Sequence, residues 1–344
     1  AQGRAWFKAA PARGHLPVPV RRGAEPAKLW YDKASVAVAE ADAARGKERG
    51  MPSVISSLLK AQISLLNPLI NALNLDAQRR LQDGLGTLGS RAAANKTGSH
   101  EVALSRSEAA WVFPLEGRAH RAALYLHGGA YTAGTLDYAR GFGGMLALET
   151  GRSVLCLGYR LAPEHPFPAA LEDALEAYKL MLGRYPASDI ALVGESAGGG
   201  LCFCLALYLK QLGLPLPGRV AALSPWLDLQ QSLEACKTMG KDPVLSCEGL
   251  QKAAGFYLGG HPADDPLASP LYGDLRGLPP TLIITGGDEI LLPESLEMTE
   301  RLQAAGVDAR LYVEDGMWHV YPLYPVPEAR TAQALVRDFL GEEP

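Results

Sequence analysis

The stretch of sequence that decides the fold is residues 190–199, Ile-Ala-Leu-Val-Gly-Glu-Ser-Ala-Gly-Gly. Its first four residues are apolar and predict a buried strand, and a helical pattern follows from Gly199. Between them, Gly194-Glu195-Ser196-Ala197-Gly198 is a Gly-x-Ser-x-Gly motif. Such a motif between a strand and a helix is typical of a nucleophile elbow, which exposes the serine Oγ at the carboxyl end of a sheet.

Each part of this motif has its own physical reason. We expect a Cβ at either glycine to clash with a neighbouring element, because the turn is tight. We expect Ser196 to adopt a strained backbone conformation and Ala197 to offer its N–H at the start of the helix, where the helix dipole favours negative charge. A glycine-rich turn with an incidental serine is the alternative, and the flanking strand and helix disfavour it.

Short apolar runs separated by helical stretches continue on both sides of this motif, from His100 to the C-terminus. Several runs are continuously apolar, which is typical of parallel strands covered on both faces. The predicted strands are residues 101–105, 111–114, 122–127, 153–159, 190–195, 220–224, 281–285 and 309–313. Crossover helices are predicted at residues 169–182 and 199–212. The pattern therefore predicts a doubly wound α/β sheet of eight mostly parallel strands, flanked by helices.

The first hundred residues differ from the rest, since residues 28–95 are rich in Ala, Leu, Gln and Arg and have almost no β-branched runs. They predict helices at residues 26–45, from Pro52 onward, and again after Pro68. We therefore expect a helical N-terminal segment and cap over residues 1–98 and a main α/β domain over residues 99–344.

The charge balance argues against two classes of partner. The chain of 344 residues has 33 Lys and Arg against 37 Asp and Glu, a net charge of −4, with both signs mixed along it. Neither nucleic acid nor an anionic membrane is expected to bind. The most apolar window, residues 54–75, is interrupted by Lys60, Asn67 and Pro68, so stable membrane insertion is not expected either. A small molecule is the remaining partner.

The five cysteines do not predict a disulfide framework. Cys156, Cys202 and Cys204 lie in apolar stretches and are interpreted as small buried hydrophobic residues. Cys202 and Cys204 are too close for a zinc ligand pair, and neither a metal nor a redox cofactor is expected. This favours a reducing, cytoplasmic location. The first twenty residues lack the apolar core of a secretory signal, although the chain starts without Met and a removed leader stays open.

A second glycine motif, His127-Gly128-Gly129-Ala130, follows the apolar strand that ends near Leu126. Glycines there let the backbone approach a tetrahedral intermediate closely, as an oxyanion hole requires. We expect the N–H groups of Gly128, Gly129 and Ala197 to point at the oxyanion, and His127 to have a structural role. The alternative is an ordinary strand–helix turn.

Only one histidine has the position that a general base needs. In proteins with a nucleophile elbow the chain order is serine, acid, histidine. His319 follows the last predicted strand, whereas His15, His100 and His120 precede the elbow, His165 lies in a proline-rich loop and His261 precedes the penultimate strand. We therefore expect His319 to be the base.

These motifs resemble the hormone-sensitive-lipase family of esterases, which have the α/β-hydrolase fold. The resemblance covers the chain from about residue 100 to the C-terminus, and the motifs stand in the family's order and spacing. They are residues 127–130, 159–170 (Tyr-Arg-Leu-Ala-Pro-Glu-His-Pro-Phe-Pro-Ala-Ala), 194–198, 224–229 (Ser-Pro-Trp-Leu-Asp-Leu) and 278–281 (Leu-Pro-Pro-Thr). One departure is Ala130, where many members have a third glycine; a methyl there should be tolerated if the donors are Gly128 and Gly129.

The acid is expected in the loop after the strand 281–285. Related proteins most often have Asp-Pro-Leu-x-Asp-Glu-Gly here, and aligning that pattern through Leu291 and Glu294 places the acid at Glu289. Glu289 also lies 30 positions before His319, close to the spacing usual for the family. Asp288 has the shorter side chain, the more common type in this role, and stays the alternative. The carboxylate would fix the tautomer of the imidazole.

The resemblance implies a serine carboxylesterase that acts on short- to medium-chain acyl esters through an acyl-enzyme. A deacetylase or amidase of specialised metabolites would use the same residues. The alternative from another class is a non-catalytic ligand-binding protein on this fold, which the presence of all three triad residues disfavours. A homodimer is expected by analogy alone.

Three further carboxylates and the cap are assigned supporting roles. We expect Glu164 and Asp228 to brace loops beneath the site, and Glu195 either to orient the alcohol side of the substrate or to bond loop backbone. The apolar helices around residues 54–75 are expected to roof the acyl pocket. Simple packing on the main domain would explain the same hydrophobicity, and contact with a lipid interface is a third interpretation.

Overall fold

One eight-stranded sheet organises the molecule, and it confirms the expected fold class. The computed structural model describes residues 52–71, 73–93, 95–116, 120–230, 236 and 242–342, so the predicted helix at residues 26–45 lies outside the described residues. The strands are β1 (Thr97–Ala103), β2 (Glu108–Pro114), β3 (Ala122–Leu126), β4 (Ser153–Gly158), β5 (Ile190–Glu195), β6 (Arg219–Leu223), β7 (Thr281–Gly286) and β8 (Ala309–Glu314).

The strands lie in the order β1-β2-β4-β3-β5-β6-β7-β8. β2 is antiparallel to both of its neighbours, β1 and β4, and every other pair is parallel. All eight predicted strands are present with ends shifted by a few residues; β1 moves most, since it begins at Thr97. The carboxyl ends of β3, β5, β6, β7 and β8 consequently lie along one edge of the sheet.

Helices cover both faces of the sheet, and two helices precede its first strand in the chain. They are α1 (Val54–Asn71), α2 (Leu75–Ala93), α3 (Leu136–Thr150), α4 (Ala169–Leu182), α5 (Ala197–Gln211), α6 (Cys247–Leu258), α7 (Leu292–Ala304) and α8 (Pro327–Gly341). The separate helix predicted after Pro68 is present as α2, but it begins only at Leu75, because α1 continues through Pro68 to Asn71. Pro68 lies in the last turn, so the helix loses one backbone hydrogen bond only where it is about to end.

The core consists of two apolar layers, one on each face of the sheet. Leu124 and Leu126 of β3 point into one layer together with residues of α4 and α5, whereas Tyr125 points into the other with residues of α3 and α8. All five residues of β3 are buried. The strand is continuously apolar because successive side chains alternate between two faces that are both covered.

The turn between β5 and α5 has the crowding expected from its glycines. A Cβ on Gly194 would lie 2.4 Å from the carbonyl oxygen of Gly198, and one on Gly198 would lie 2.0 Å from that of Leu126. Ser196 between them has φ 53° and ψ −123°, a backbone conformation that L-residues rarely adopt. The steric prediction for both glycines is confirmed, although the helix begins at Ala197 and not at Gly199.

The cysteines agree with the sequence analysis only in part. Cys156, Cys202 and Cys204 are free and buried, as expected. Cys236 and Cys247, however, form a disulfide that the sequence analysis did not predict. The cysteines therefore no longer support the expectation of a reducing compartment. Over the described ranges, no helix is long and apolar enough to cross a membrane.

Polar contacts attach the two N-terminal helices to the α/β domain. The Arg79 guanidinium of α2 makes two hydrogen bonds of 2.8 Å to Glu164 and one of 2.7 Å to the carbonyl of Thr132. The Ser56 hydroxyl of α1 donates to Glu328 at 2.5 Å. The outer apolar side chains of α1 are exposed: Val54, Ile55, Leu58, Leu65, Leu66 and Leu69. Packing on the main domain thus does not account for the whole hydrophobicity of α1.

We expect Gly198→Ala to destabilise the protein by about 3 kcal/mol or more, because the added methyl would overlap a strand carbonyl that cannot move alone. The matched control is Gly255→Ala in α6, where a Cβ meets nothing within 4 Å. There, the better helix propensity of Ala should stabilise the protein by about 0.5–1 kcal/mol. Urea unfolding of both variants measures the difference, and similar unfolding midpoints would contradict the steric account.

Candidate active site

Four loops bring the predicted site residues to the carboxyl edge of the sheet. Gly128 follows β3, Ser196 follows β5, Glu289 follows β7 and His319 follows β8. These four strands run parallel, so the loops that leave their carboxyl ends are neighbours in space although the chain separates them widely. The site is thus assembled by the topology of the sheet.

Ser196, His319 and Glu289 form a continuous chain of hydrogen bonds. The Nε2 atom of His319 lies 2.9 Å from the Ser196 Oγ, and its Nδ1 atom lies 2.7 Å from Oε2 of Glu289. His319 is 3% exposed and Glu289 1%. In this arrangement Nδ1 donates to the carboxylate, so the neutral imidazole presents the Nε2 lone pair to the serine hydroxyl.

Three donors hold Glu289 through its other oxygen. Oε1 accepts hydrogen bonds from the Ser224 hydroxyl at 3.0 Å, from the Gly286 N–H at 2.6 Å and from the Thr285 hydroxyl. The Ser224 hydroxyl also accepts the N–H of Val320 at 3.0 Å and therefore links the acid to the loop of His319. The sequence analysis did not find these three residues, although two of them end the strand that leads to Glu289.

Asp288, the alternative acid, lies outside this chain of hydrogen bonds. Its side chain is 45% exposed and forms an ion pair with Lys60 of α1. Lys60 also donates to the carbonyl of Gly316 at 3.1 Å. The carboxylate of Asp288 thus contacts the cap, whereas that of Glu289 contacts His319.

The structure contradicts one of the three expected oxyanion donors. The N–H of Gly128 donates to Oε1 of Glu195 at 2.5 Å, because the carboxylate that precedes the nucleophile reaches across to the neighbouring loop. The N–H groups of Gly129 and Ala130 donate to no acceptor among the described residues. Ala197 is the first residue of α5, where an N–H has no partner within the helix. Gly129 and Ala197 therefore keep N–H groups available, and Ala130 adds a third.

The carboxylate of Glu195 is buried and fully engaged by neutral donors. Besides Gly128, it accepts hydrogen bonds from the Tyr125 hydroxyl, at 2.5 Å from Oε2, and from the Tyr138 hydroxyl. Glu195 is 1% exposed, and burial raises its pKa to about 7 against its hydrogen bonds, which lower it. Of the two roles expected for Glu195, the hydrogen bond to loop backbone is the one observed.

His127 has the structural environment expected of it. Its ring stacks on Tyr159 at 4.1 Å between ring centroids, and its Nδ1 lies 2.7 Å from the carbonyl of Gly128, which only a protonated Nδ1 can satisfy. Burial lowers the pKa of His127 to about 4, so the ring is neutral at physiological pH. The Tyr159 hydroxyl in turn donates to the His127 carbonyl at 2.7 Å.

Other carboxylates brace the loops around the site. Asp228 accepts the N–H of Gln230 at 2.8 Å, and Glu164 binds Arg79 of the cap as described above, both in the bracing role expected. Asp242, which the sequence analysis missed, accepts the N–H of Ile290 at 3.0 Å, directly after Glu289. Burial raises the pKa of Asp242, and hydrogen bonds from the N–H groups of Val244 and Leu245 are among the contacts that oppose that rise.

Comparisons with known proteins show the family of the chain. The family described as the alpha/beta hydrolase fold matches residues 123–323. An acetyl-hydrolase of Streptomyces hygroscopicus is 36% identical over 268 residues, which cover 77% of this chain and 87% of that protein. An esterase of Acinetobacter venetianus is 37% identical over 221 residues, covering 62% of this chain and 73% of that protein.

A solved structure supports the same assignment. The crystal structure of an esterase from the bacterial hormone-sensitive lipase family superposes with a TM-score of 0.74 at 36% sequence identity, covering 84% of this chain and 98% of that chain. The resemblance noted in the sequence is thus confirmed over most of both proteins. The chain belongs to the α/β-hydrolase family, within the bacterial hormone-sensitive-lipase group of esterases, and is a carboxylic-ester hydrolase.

Proposed function

We propose that the protein hydrolyses short- to medium-chain carboxylic esters through an acyl-enzyme on Ser196, with His319 as the general base and Glu289 as the orienting acid. The observation that carries this proposal is the unbroken series Ser196 Oγ, His319 Nε2, His319 Nδ1 and Glu289 Oε2, with contacts of 2.9 and 2.7 Å. Asp288 is not part of the proposal, since its partner is Lys60.

In the acylation step, His319 takes the proton of Ser196 as Oγ attacks the ester carbonyl carbon. The carbonyl π electrons move to oxygen and give a tetrahedral oxyanion. His319 then returns the proton to the leaving alkoxide, the ester C–O bond breaks and the alcohol departs. Water repeats the sequence on the acyl-enzyme, releases the carboxylic acid and restores the Ser196 hydroxyl.

We assign the oxyanion to the N–H groups of Gly129, Ala130 and Ala197. Gly128 is left out because its N–H already donates to Glu195. Gly129 and Ala130 have φ of 111° and 52°, so the two residues are in left-handed conformations that turn the backbone sharply at this point. Backbone donors that are fixed before the reaction stabilise developing charge without reorganisation.

The proposed role of Glu289 is electrostatic and orienting. As a carboxylate it would keep the proton of neutral His319 on Nδ1 and stabilise the imidazolium that forms during each proton transfer. Its other oxygen is held by Ser224, Thr285 and Gly286, which leaves the carboxylate little freedom to rotate. A longer glutamate side chain can therefore serve where an aspartate is more usual.

We also propose that the protein prefers esters with short acyl chains. The relative from Streptomyces hygroscopicus is described as an acetyl-hydrolase, which makes acetyl esters the first substrates to examine. A deacetylase of specialised metabolites would follow the same chemistry and differ only in the alcohol. A purely ligand-binding function is not proposed, because the relatives are esterases. The homodimer stays a prediction.

We expect Ser196→Ala to lose activity on p-nitrophenyl esters by about 10⁴-fold or more, because no other group there can form the acyl-enzyme. The rates of the wild-type protein on the acetyl to palmitoyl series should be highest for the short acyl chains. The matched control is Ser188→Ala, an exposed serine just before β5, at the opposite end of the same strand. A folded Ser196→Ala protein with wild-type rates would overturn the proposal.

We expect Glu289→Gln to lower kcat by about 10³- to 10⁴-fold, since the neutral amide cannot hold the productive tautomer or stabilise the imidazolium. Asp288→Asn, the adjacent matched change, should leave kcat within about threefold, because it removes only an exposed ion pair with Lys60. Steady-state kinetics on p-nitrophenyl acetate compare the two. A larger loss for Asp288→Asn would return the role of acid to Asp288.

A further inference from the structure

A buried carboxylate joins the two loops that the reaction depends on. Glu195 ends β5 and directly precedes Ser196, while its Oε1 accepts the N–H of Gly128 in the oxyanion loop, residues 128–131. We propose that Glu195 is a positioning residue, which holds the oxyanion loop in its competent position only while it is an ionised carboxylate. This inference rests on the function proposed for Ser196.

The loop and the nucleophile turn are in direct contact at this point. A Cβ on Gly128 would lie 3.0 Å from the carbonyl oxygen of Glu195 and 3.1 Å from the Cβ of Ser196. The 2.5 Å hydrogen bond from Gly128 to Glu195 therefore spans a gap with no room for another group. The same bond ties the start of the oxyanion loop to the turn of Ser196, and so fixes the point from which the N–H groups of Gly129 and Ala130 are presented.

No cation faces this carboxylate among the described residues. The titratable groups around it are Tyr125 of β3, Tyr138 of α3, Tyr159 after β4 and Cys202 of α5; Tyr138 is half-buried and the other three are buried. Burial raises the pKa of all four, so they stay neutral across the physiological range. Glu195 is therefore the only group of this cluster that changes charge near neutral pH.

Protonation of Glu195 would weaken the hydrogen bond that it accepts from the Gly128 N–H. Hydrogen bonds to an ionised acceptor are roughly twice as strong as those between neutral groups. A neutral Glu195 must also donate from one oxygen, so one of the two phenols that donate to the carboxylate has to turn its hydroxyl and accept instead. With a pKa of about 7, Glu195 passes between these two states close to neutral pH.

A direct role with substrate does not fit the same contacts. Glu195 is 1% exposed, and both of its oxygens already have donors from the protein. No face of the carboxylate is open to an ester or its leaving alcohol. Glu195 consequently acts on the reaction through the position of the loop.

The test is the pH dependence of Glu195→Gln, measured as kcat and KM on p-nitrophenyl acetate from pH 5.5 to 8.5. Gln resembles the protonated acid at every pH. We expect kcat of the variant to be about tenfold below wild type at pH 8.5, with KM little changed, because the loop acts on the transition state. At pH 5.5 wild-type Glu195 is itself protonated, so the ratio of the two kcat values should approach one.

A second variant keeps the test independent of how Glu195→Gln folds. Tyr125→Phe removes a hydrogen bond that lowers the pKa of Glu195, while the Gly128 bond stays. We expect the pH at which kcat rises to move upward in this variant, with the same plateau at high pH. A merely structural role for the pair would lower kcat equally at all pH values.

Thermal unfolding gives a readout that does not depend on activity. The pKa of folded Glu195, about 7, lies above the usual value of 4.5, so the folded protein binds this proton more tightly than the unfolded chain. Its contribution to the free energy of unfolding therefore falls as pH rises from 4.5 through 7. The Tm of Glu195→Gln relative to wild type should increase between pH 5.5 and 8.5.

A kcat ratio that is the same at every pH, or no loss of kcat at pH 8.5, would overturn the role of Glu195. Neither result would contradict the proposed function, which Ser196→Ala tests in the same assay. Conversely, a Ser196→Ala protein with full activity would overturn the proposed function, whatever the pH profile of Glu195→Gln.

Discussion

The close approach of α5 to β3 is the constraint on which the rest of the site depends. The helix starts against the carbonyl of Leu126, where Gly198 leaves no room for a side chain. Backbone hydrogen bonds of Ser196 to Leu223 and Trp226, each 2.9 Å, hold the turn from the opposite side. The positive φ of Ser196 persists because these neighbours fix it, and the distance between nucleophile and oxyanion loop follows from the same contact.

Local patterns explain why the fold could be predicted from the sequence. The runs that became β3 and β5 are apolar on both faces, and α4 begins and ends at the residues predicted for it. Ser196, His319 and Glu289 could also be placed, because their order along the chain and the order of the strands are tied together by the fold. Pro68 shows the limit of such rules. The helix α1 continues past it to Asn71, because a proline in the last turn removes a backbone hydrogen bond only where the helix is about to end.

The sequence could not predict which contacts a side chain makes with residues far from it along the chain. Nothing in the order of residues indicates that Glu195 turns back to take the N–H of Gly128, 67 positions away. Asp242 and its contact with Ile290, and the pairing of Cys236 with Cys247, depend in the same way on loops whose paths are not periodic. The first two contacts hold the loops of the oxyanion donors and of Glu289, so the sequence indicated the reacting groups better than the residues that position them.

The hydrogen bond between Gly128 and Glu195 also bears on how substrate is recognised. Both partners belong to the protein, so the oxyanion loop is already ordered in the free enzyme. Binding then needs no induced fit of this loop, and its entropy is lost on folding and not on each encounter with an ester. A site of this kind distinguishes substrates chiefly by the shape of the pocket, so its specificity is changed most directly through the pocket walls.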